Sequence, residues 1–192
     1  MNRNLNYEVL MEIKNRWSPR SFSEEAIGCE DIKGLIEAAR MAPSCYNEQP
    51  WRFIVTIDKT DRDNINSTID RFNRVWSDKA PVIICIISKR RFNYNSRENY
   101  WHMFDTGTAF GYLTLEAERR NLITRAIGGF DKDRARKVLK VPYDYDIVCL
   151  VAVGKRGETR LLPKELQSKE VPSGRYDLSE IIHFGKFNKS DE

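Results

Sequence analysis

Apolar positions along the chain recur with two different periods. Val9, Leu10, Ile13 and Trp17 follow helical spacing, and Pro19 closes that segment in a basic turn. Ile32, Leu35, Ile36 and Ala39 repeat as i, i+3, i+4, i+7, predicting a second helix from Glu30 to Met41, ended by Pro43. Trp51, Phe53, Val55 and Ile57 alternate instead, which predicts a strand over residues 51–57. Ile65, Ile69, Phe72 and Trp76 return to the helical period. They predict one helix that opens at a capping-box pair, Thr60 and Asp63, and stops before Pro81. The unbroken run VIICIIS at 82–88 suits a central strand covered on both faces. A polar, irregular segment spans 89–99. Beyond it, residues 100–121 read as the longest helix, with Phe104, Thr108, Tyr112 and Leu115 along one side. A short helix capped by Asp131 runs to Leu139, and residues 146–154 supply a last buried strand.

Helices that alternate with strands predict a sheet flanked by helices, and no repeat, linker or composition break divides the 192 residues. The chain is 41% hydrophobic, enough for one real core, so 1–192 reads as a single domain. Its longest apolar runs, 82–87 and 147–153, fall far short of the ~18–20 residues a membrane span requires. The N-terminus mixes acids and amides into its apolar residues, unlike a signal or transit peptide, so the expected location is the cytoplasm, away from any membrane. Lys+Arg number 32 against 28 Asp+Glu, and the resulting +4 is too diffuse to indicate nucleic acid, although it would help an anionic cofactor find its site. The one stretch that fits a single-stranded nucleic-acid module is 89–97, where Phe92 and Tyr94 interleave with Lys89, Arg90, Arg91 and Arg97. Four cysteines with no C-x-x-C pair and only two histidines give no metal-site spacing, and Cys85 and Cys149 lie in apolar runs as small hydrophobes. Gly107 and Gly111, four apart on the long helix, imply another helix backbone or a flat ligand pressed close to that face. Residues 156–192 hold too few apolar side chains for a core of their own, so this extension is expected to pack on a second subunit.

The chain has no G-x-S-x-G, H-E-x-x-H or G-x-x-x-x-G-K-[ST], and neither His102 nor His183 has an evident partner in the sequence. Chemistry carried by a cofactor is the natural alternative. Three segments could bind one. Arg16-Trp17-Ser18-Pro19-Arg20 places two guanidinium forks around a hydroxyl, suited to phosphate, or is a solvated basic turn. The loop Pro43-Ser44-Cys45-Tyr46-Asn47-Glu48-Gln49-Pro50 carries polar groups between two prolines, suited to the edge of a heteroaromatic ring, or is an ordinary helix-to-strand connection. Gly128-Gly129-Phe130-Asp131 lets backbone N–H groups approach a ligand ahead of a helix, or is a plain turn.

Taken together, R-W-S-P-R-S-F, A-A-R-M-A-P-S-C-Y-N-E-Q-P-W-R-F, D-T-G-T-A-F-G-Y-L-T-L-E-A, I-G-G-F-D and R-Y-D-L-S-E-I-I resemble the nitroreductase family of FMN-dependent oxidoreductases in order and spacing. The resemblance implies an α+β fold, a three-layer sandwich whose central, mostly antiparallel sheet lies between helices. It also implies an intertwined homodimer with exchanged C-terminal tails and two FMN sites at the interface. By position, Arg16 with its neighbour Trp17, Ser18 and Arg20 would hold the FMN phosphate, ribityl chain and pyrimidine edge. Arg175 would hold the phosphate from the tail. Ser44 and Asn47 would touch the flavin, Ser44 reaching the partner's site. Asn73 would face the pyrimidine ring, and Gly128 and Gly129 would lie near N5. The implied reaction passes hydride from NADH or NADPH to N5, then reduces a nitroaromatic, quinone or similar small molecule by a ping-pong mechanism, with no side chain as acid or base. Reductive dehalogenation and flavin cleavage are alternatives within the superfamily, and a ferredoxin-type donor is another source of electrons. Tyr46, Phe92, Tyr94 and Phe130 are candidate stacking partners for the substrate, or plain packing residues. Two departures stand out. Gly128 replaces an acidic residue frequent in the family, leaving only backbone near N5. The chain is also short for the family, with 89–99 as the one segment able to cover the substrate face.

Overall fold

The computed structural model describes residues 5–187; residues 188–192 of the expected tail lie outside them, as do residues 1–4. Four antiparallel strands form the central sheet: β1 (Trp51–Thr56), β2 (Val82–Lys89), β3 (Ile123–Ile127) and β4 (Tyr145–Gly154), in the order β1-β2-β4-β3. The predicted central strand is β2, buried from Val82 to Ser88 and flanked by β1 and β4. Its side chains alternate between the sheet faces, as the pleat requires. Ile83, Cys85 and Ile87 join Ile65, Ile69, Trp76, Ile127 and Leu150 in one core. Val82, Ile84 and Ile86 join Leu35, Ala39, Leu113, Ala117 and Val151 in the other.

Helices α2 (Cys29–Arg40) and α5 (His102–Arg119) cover the second face. The first face is covered by α3 (Lys59–Asn66), α4 (Arg71–Ser77) and α6 (Lys132–Leu139). The result is helix, sheet, helix in three layers. Each fully buried Ile, Leu or Val in these two cores is worth roughly 1.5–3 kcal/mol of transfer free energy. No helix among the described residues is long and apolar enough to cross a membrane.

The structure departs from the sequence reading in six places. The stripe Ile65 to Trp76 belongs to two helices, because Asp70 takes an extended conformation and caps α4 by accepting from Asn73 N. Thr60 is not the cap of α3; Asp58 is, accepting from Asp61 N. The helix before Pro19 is only one short turn, α1 (Met11–Asn15). Strand β3 was not foreseen. Gly107 and Gly111 would each have open space around an added Cβ, so nothing among the described residues presses on them. Part of the tail packs in cis: Phe22 pairs with Arg156, Gly157 N donates to Ser21 O at 2.7 Å, and Leu162 is buried. Farther along, past α7 (Lys164–Gln167), Ile181 at the end of α8 (Leu178–Ile181) and Phe184 and Phe187 beyond it are exposed.

Burial pushes the Cys85 thiol up to about 12, with Cys149 nearby adding to the rise, and pushes Cys149 up to about 11. Both thiols therefore stay protonated in the folded chain and ionise near pH 8.5 once it unfolds. The stability they confer is complete below about pH 8.5 and is lost as pH rises toward 11. The denaturant midpoint should fall across that window, with a shallower fall in Cys149→Ala. At pH 8 alkylation should label exposed Cys29 well before Cys85, as read by peptide mass spectrometry.

Candidate functional site

Arg16, Trp17, Ser18 and Arg20 leave α1 on an extended strip that Pro19 keeps from turning back into a helix. The tail returns to meet this strip. Together they enclose a cleft of about 280 Å³, lined by those four residues, Lys169 and Arg175 from the tail, and Arg125 from β3. Arg16 Nη1 donates to Ser18 Oγ at 3.3 Å. Trp17 lies beneath Arg156, whose guanidinium is 5.0 Å from the ring centroid.

The sequence reading missed Arg125, Lys169 and Glu170, and these hold the cleft together. Ile123, Arg125 and Ile127 share one face of β3, so Arg125 is directed at the same core as Trp76 and sits 5.3 Å from that ring's centroid. Its Nη1 donates to Ser18 O, while its Nε is buried without a partner. Burial lowers the Arg125 pKa, Arg20 lowers it further, and Glu170 partly offsets both. Glu170 is only 5% exposed. Its Oε1 accepts from Arg20 N and Ser21 N, both at 2.8 Å, and its Oε2 from Arg20 N at 3.0 Å. This clasp joins the tail to the N-terminal strip 149 and 150 residues away. No motif announces it. A period-two reading of Ile123 to Ile127, bounded by Asn121 and a Gly-Gly pair, would have exposed Arg125.

A second group adjoins the first through Trp76. Asn73, one turn earlier on α4, donates through Nδ2 to Asp70 Oδ2 at 3.0 Å. Asp70 N donates to Gly129 O at 3.1 Å and Asp131 N to Thr68 O at 2.8 Å, which pins the 128–131 loop against α4. An added Cβ on Gly129 would come within 1.8 Å of Asp70 Oδ2, so a side chain there would have to displace that carboxylate; on Gly128 it would meet nothing within 4 Å. Phe130 packs partly buried on the core beside this loop.

Ser44, Tyr46 and Asn47 belong elsewhere, and none of them lines the basic cleft. Their loop turns through left-handed backbone at Tyr46 (φ 51°), Asn47 (φ 57°) and Gln49 (φ 50°). Gln49 N donates to Ser44 Oγ at 3.0 Å and Cys45 N to Asp105 Oδ2 at 3.0 Å. Tyr46 meets Phe92 and Tyr94 in edge-on contacts at centroid distances of 5.9 and 6.1 Å. His102, for which the sequence suggested no partner, has its Nδ1 3.0 Å from Ser88 Oγ and its Nε2 3.7 Å from Asp146 Oδ2. His183 lies against Phe187 at 4.4 Å.

A three-layer antiparallel fold with a basic cleft at one edge of the sheet fits the comparison with known proteins. The chain matches the nitroreductase family over residues 13–75 and 61–155. An oxygen-insensitive NADPH nitroreductase of Helicobacter acinonychis is 25% identical over 79% of this chain and 90% of its own length. An iodotyrosine deiodinase of Thermotoga neapolitana is 26% identical over 73% and 84%. Among solved structures, an oxidoreductase containing FMN superposes with a TM-score of 0.93 at 30% identity, covering 97% of this chain and 96% of that one. The chain belongs to the nitroreductase family and is an oxidoreductase.

Removing the Glu170 carboxylate would leave backbone N–H groups unpaired at the buried Ser21 and the half-buried Arg20, at a cost of about 2–3 kcal/mol. Glu170→Ala should therefore lower the denaturation midpoint and speed proteolytic cleavage of the tail after residue 170. Gly129→Ala should lower thermal stability by displacing Asp70 from its cap, which is worth about 1 kcal/mol, while Gly128→Ala should leave it unchanged. Calorimetric melting curves check both.

Proposed function

We propose that the chain is an FMN-dependent oxidoreductase. It draws reducing equivalents from NADH or NADPH and delivers them to a nitroaromatic, quinone or similar small acceptor, working in the cytoplasm as an intertwined homodimer. The convergence of Arg16, Ser18, Arg20 and Arg175 on one cleft carries the reading. A phosphate monoester brings a charge of about −2, and guanidinium forks match its oxygens. The orphaned Arg125 Nε inside the cleft wall and the open space at Gly128 fit a bound anion and a flat ring beyond it. The relatives' names, an NADPH nitroreductase and an oxidoreductase containing FMN, point the same way.

In this reading Arg16, Arg20 and Arg175 hold the phosphate, and Ser18 the phosphate or ribityl chain. Asn73, Gly128 and Gly129 face the ring, and Ser44 and Asn47 approach the flavin of the partner subunit. Bound FMN supplies the hydride chemistry, taken from the nicotinamide and given up to the acceptor. The chain's own residues bind and orient, and cations preset in the cleft favour a cofactor that gains negative charge on reduction. Water supplies the proton. The dimer is supported by two exposed apolar surfaces: Phe104 and Tyr112 beside Gly107 and Gly111 on α5, and the tail side chains Ile181, Phe184 and Phe187. Similarity to an iodotyrosine deiodinase at comparable identity supports a second reading, reductive dehalogenation in the same site.

Protein incubated with FMN and desalted should keep a visible flavin band. Arg16→Ala and Arg175→Ala should each bind FMN about 10- to 100-fold more weakly. A colourless wild-type protein overturns the reading. Sedimentation at micromolar concentration should give a dimer, and turnover of a nitroaromatic with none of iodotyrosine would select the first reaction over the second.

A further inference from the structure

We propose that Tyr46 and Tyr94, propped on Phe92, form the surface that receives the electron acceptor and select for planar aromatic molecules. The proposal rests on the flavin reading above, because it places the acceptor beside the loop that carries Ser44 and Asn47, between which Tyr46 lies.

Three observations carry it. The first is an inverted pattern of burial: Phe92 is 9% exposed, whereas the rings it supports are 80% exposed at Tyr46 and 63% at Tyr94. Phe92 and Tyr94 lie 5.3 Å apart, and Tyr46 meets both edge-on, so the three rings make one surface from two separate segments. The second is backbone strain. Tyr46, Asn47 and Gln49 all sit at positive φ without being glycine, at a cost of order 1–3 kcal/mol each, and within this conformation the Tyr46 ring is exposed. The third is rigidity. Glu48 Oε1 accepts from Asn93 N at 2.8 Å and Pro50 O from Lys89 N at 2.9 Å, tying the strained loop to the segment 89–99. That segment folds back on itself through Phe92 N to Arg97 O at 2.9 Å and Asn99 N to Arg90 O at 2.8 Å. Two exposed rings held in fixed relation form a preset stacking surface, which binds a flat π-system with little ordering cost.

The test uses the FMN-loaded protein and the variants Tyr46→Leu, Tyr94→Leu and Tyr46→Phe. Calorimetric titration of the oxidised protein with 4-nitrobenzoate should show about tenfold weaker binding in each leucine variant and wild-type binding in Tyr46→Phe. Steady-state KM for a nitroaromatic should rise by a similar factor. KM for ferricyanide, which has no ring, should stay within about twofold of wild type. Unchanged 4-nitrobenzoate binding overturns the proposal, and so does an equal loss with ferricyanide. Leucine variants that sediment as monomers would assign the rings to a contact between subunits and also overturn it. Failure of the flavin reading is separate, since it appears as a colourless wild-type protein before any variant is made.

Discussion

Five cations, Arg16, Arg20, Arg125, Lys169 and Arg175, crowd around one small cleft, and like charges repel. What holds them is the buried carboxylate of Glu170, gripping the backbone of Arg20 and Ser21 through two N–H donors that make three hydrogen bonds. A buried charge is tolerable only where it is hydrogen-bonded and paired. Here both carboxylate oxygens accept backbone N–H bonds, while the negative charge partly offsets the depression of the Arg125 pKa. The tail cations Lys169 and Arg175 flank the clasp in sequence, so it also delivers them to the cleft. The remaining excess of positive charge is the state an anion would relieve.

The sheet makes that arrangement possible. Strand β3 at the sheet edge aims Arg125 past Trp76 at the N-terminal strip, and α4 carries Trp76 and Asn73 one turn apart. The 128–131 loop, continuing from β3, is pinned back on α4. The basic cleft and the 128–131 loop are thus built on one packed unit. The loop with Ser44 and Asn47 stands apart from it, beside a different group of side chains.

Much of the fold was legible because burial imposes a period. The run at 82–88 could only be a covered strand, and the alternation at 51–57 a half-covered one. The break between α3 and α4 was hidden, since the apolar stripe continues across it and only the extended backbone at Asp70 reveals two helices. Strand β3 was hidden because five residues with an arginine at their centre give too short a signal against the long helix before them. At the candidate site, the groups Arg16 to Arg20 and Gly128 to Gly129 were visible as local clusters of donors and glycines.

By itself the sequence determined the three-layer character, the identity of the central strand, the inertness of Cys85 and Cys149, and the family to which the motifs belong. The first three follow from short-range patterns of side-chain type, which burial reads directly, and the family from the resemblance of whole motifs in order and spacing. Tertiary structure alone decided that Arg125 and Lys169 join the cleft, that Glu170 fastens it, and that Tyr46 shares a surface with Phe92 and Tyr94. Those pairings link residues tens to more than a hundred positions apart. Chain periodicity carries no information about such distances; they are set when the sheet closes and brings the strip, the strand and the tail to one edge.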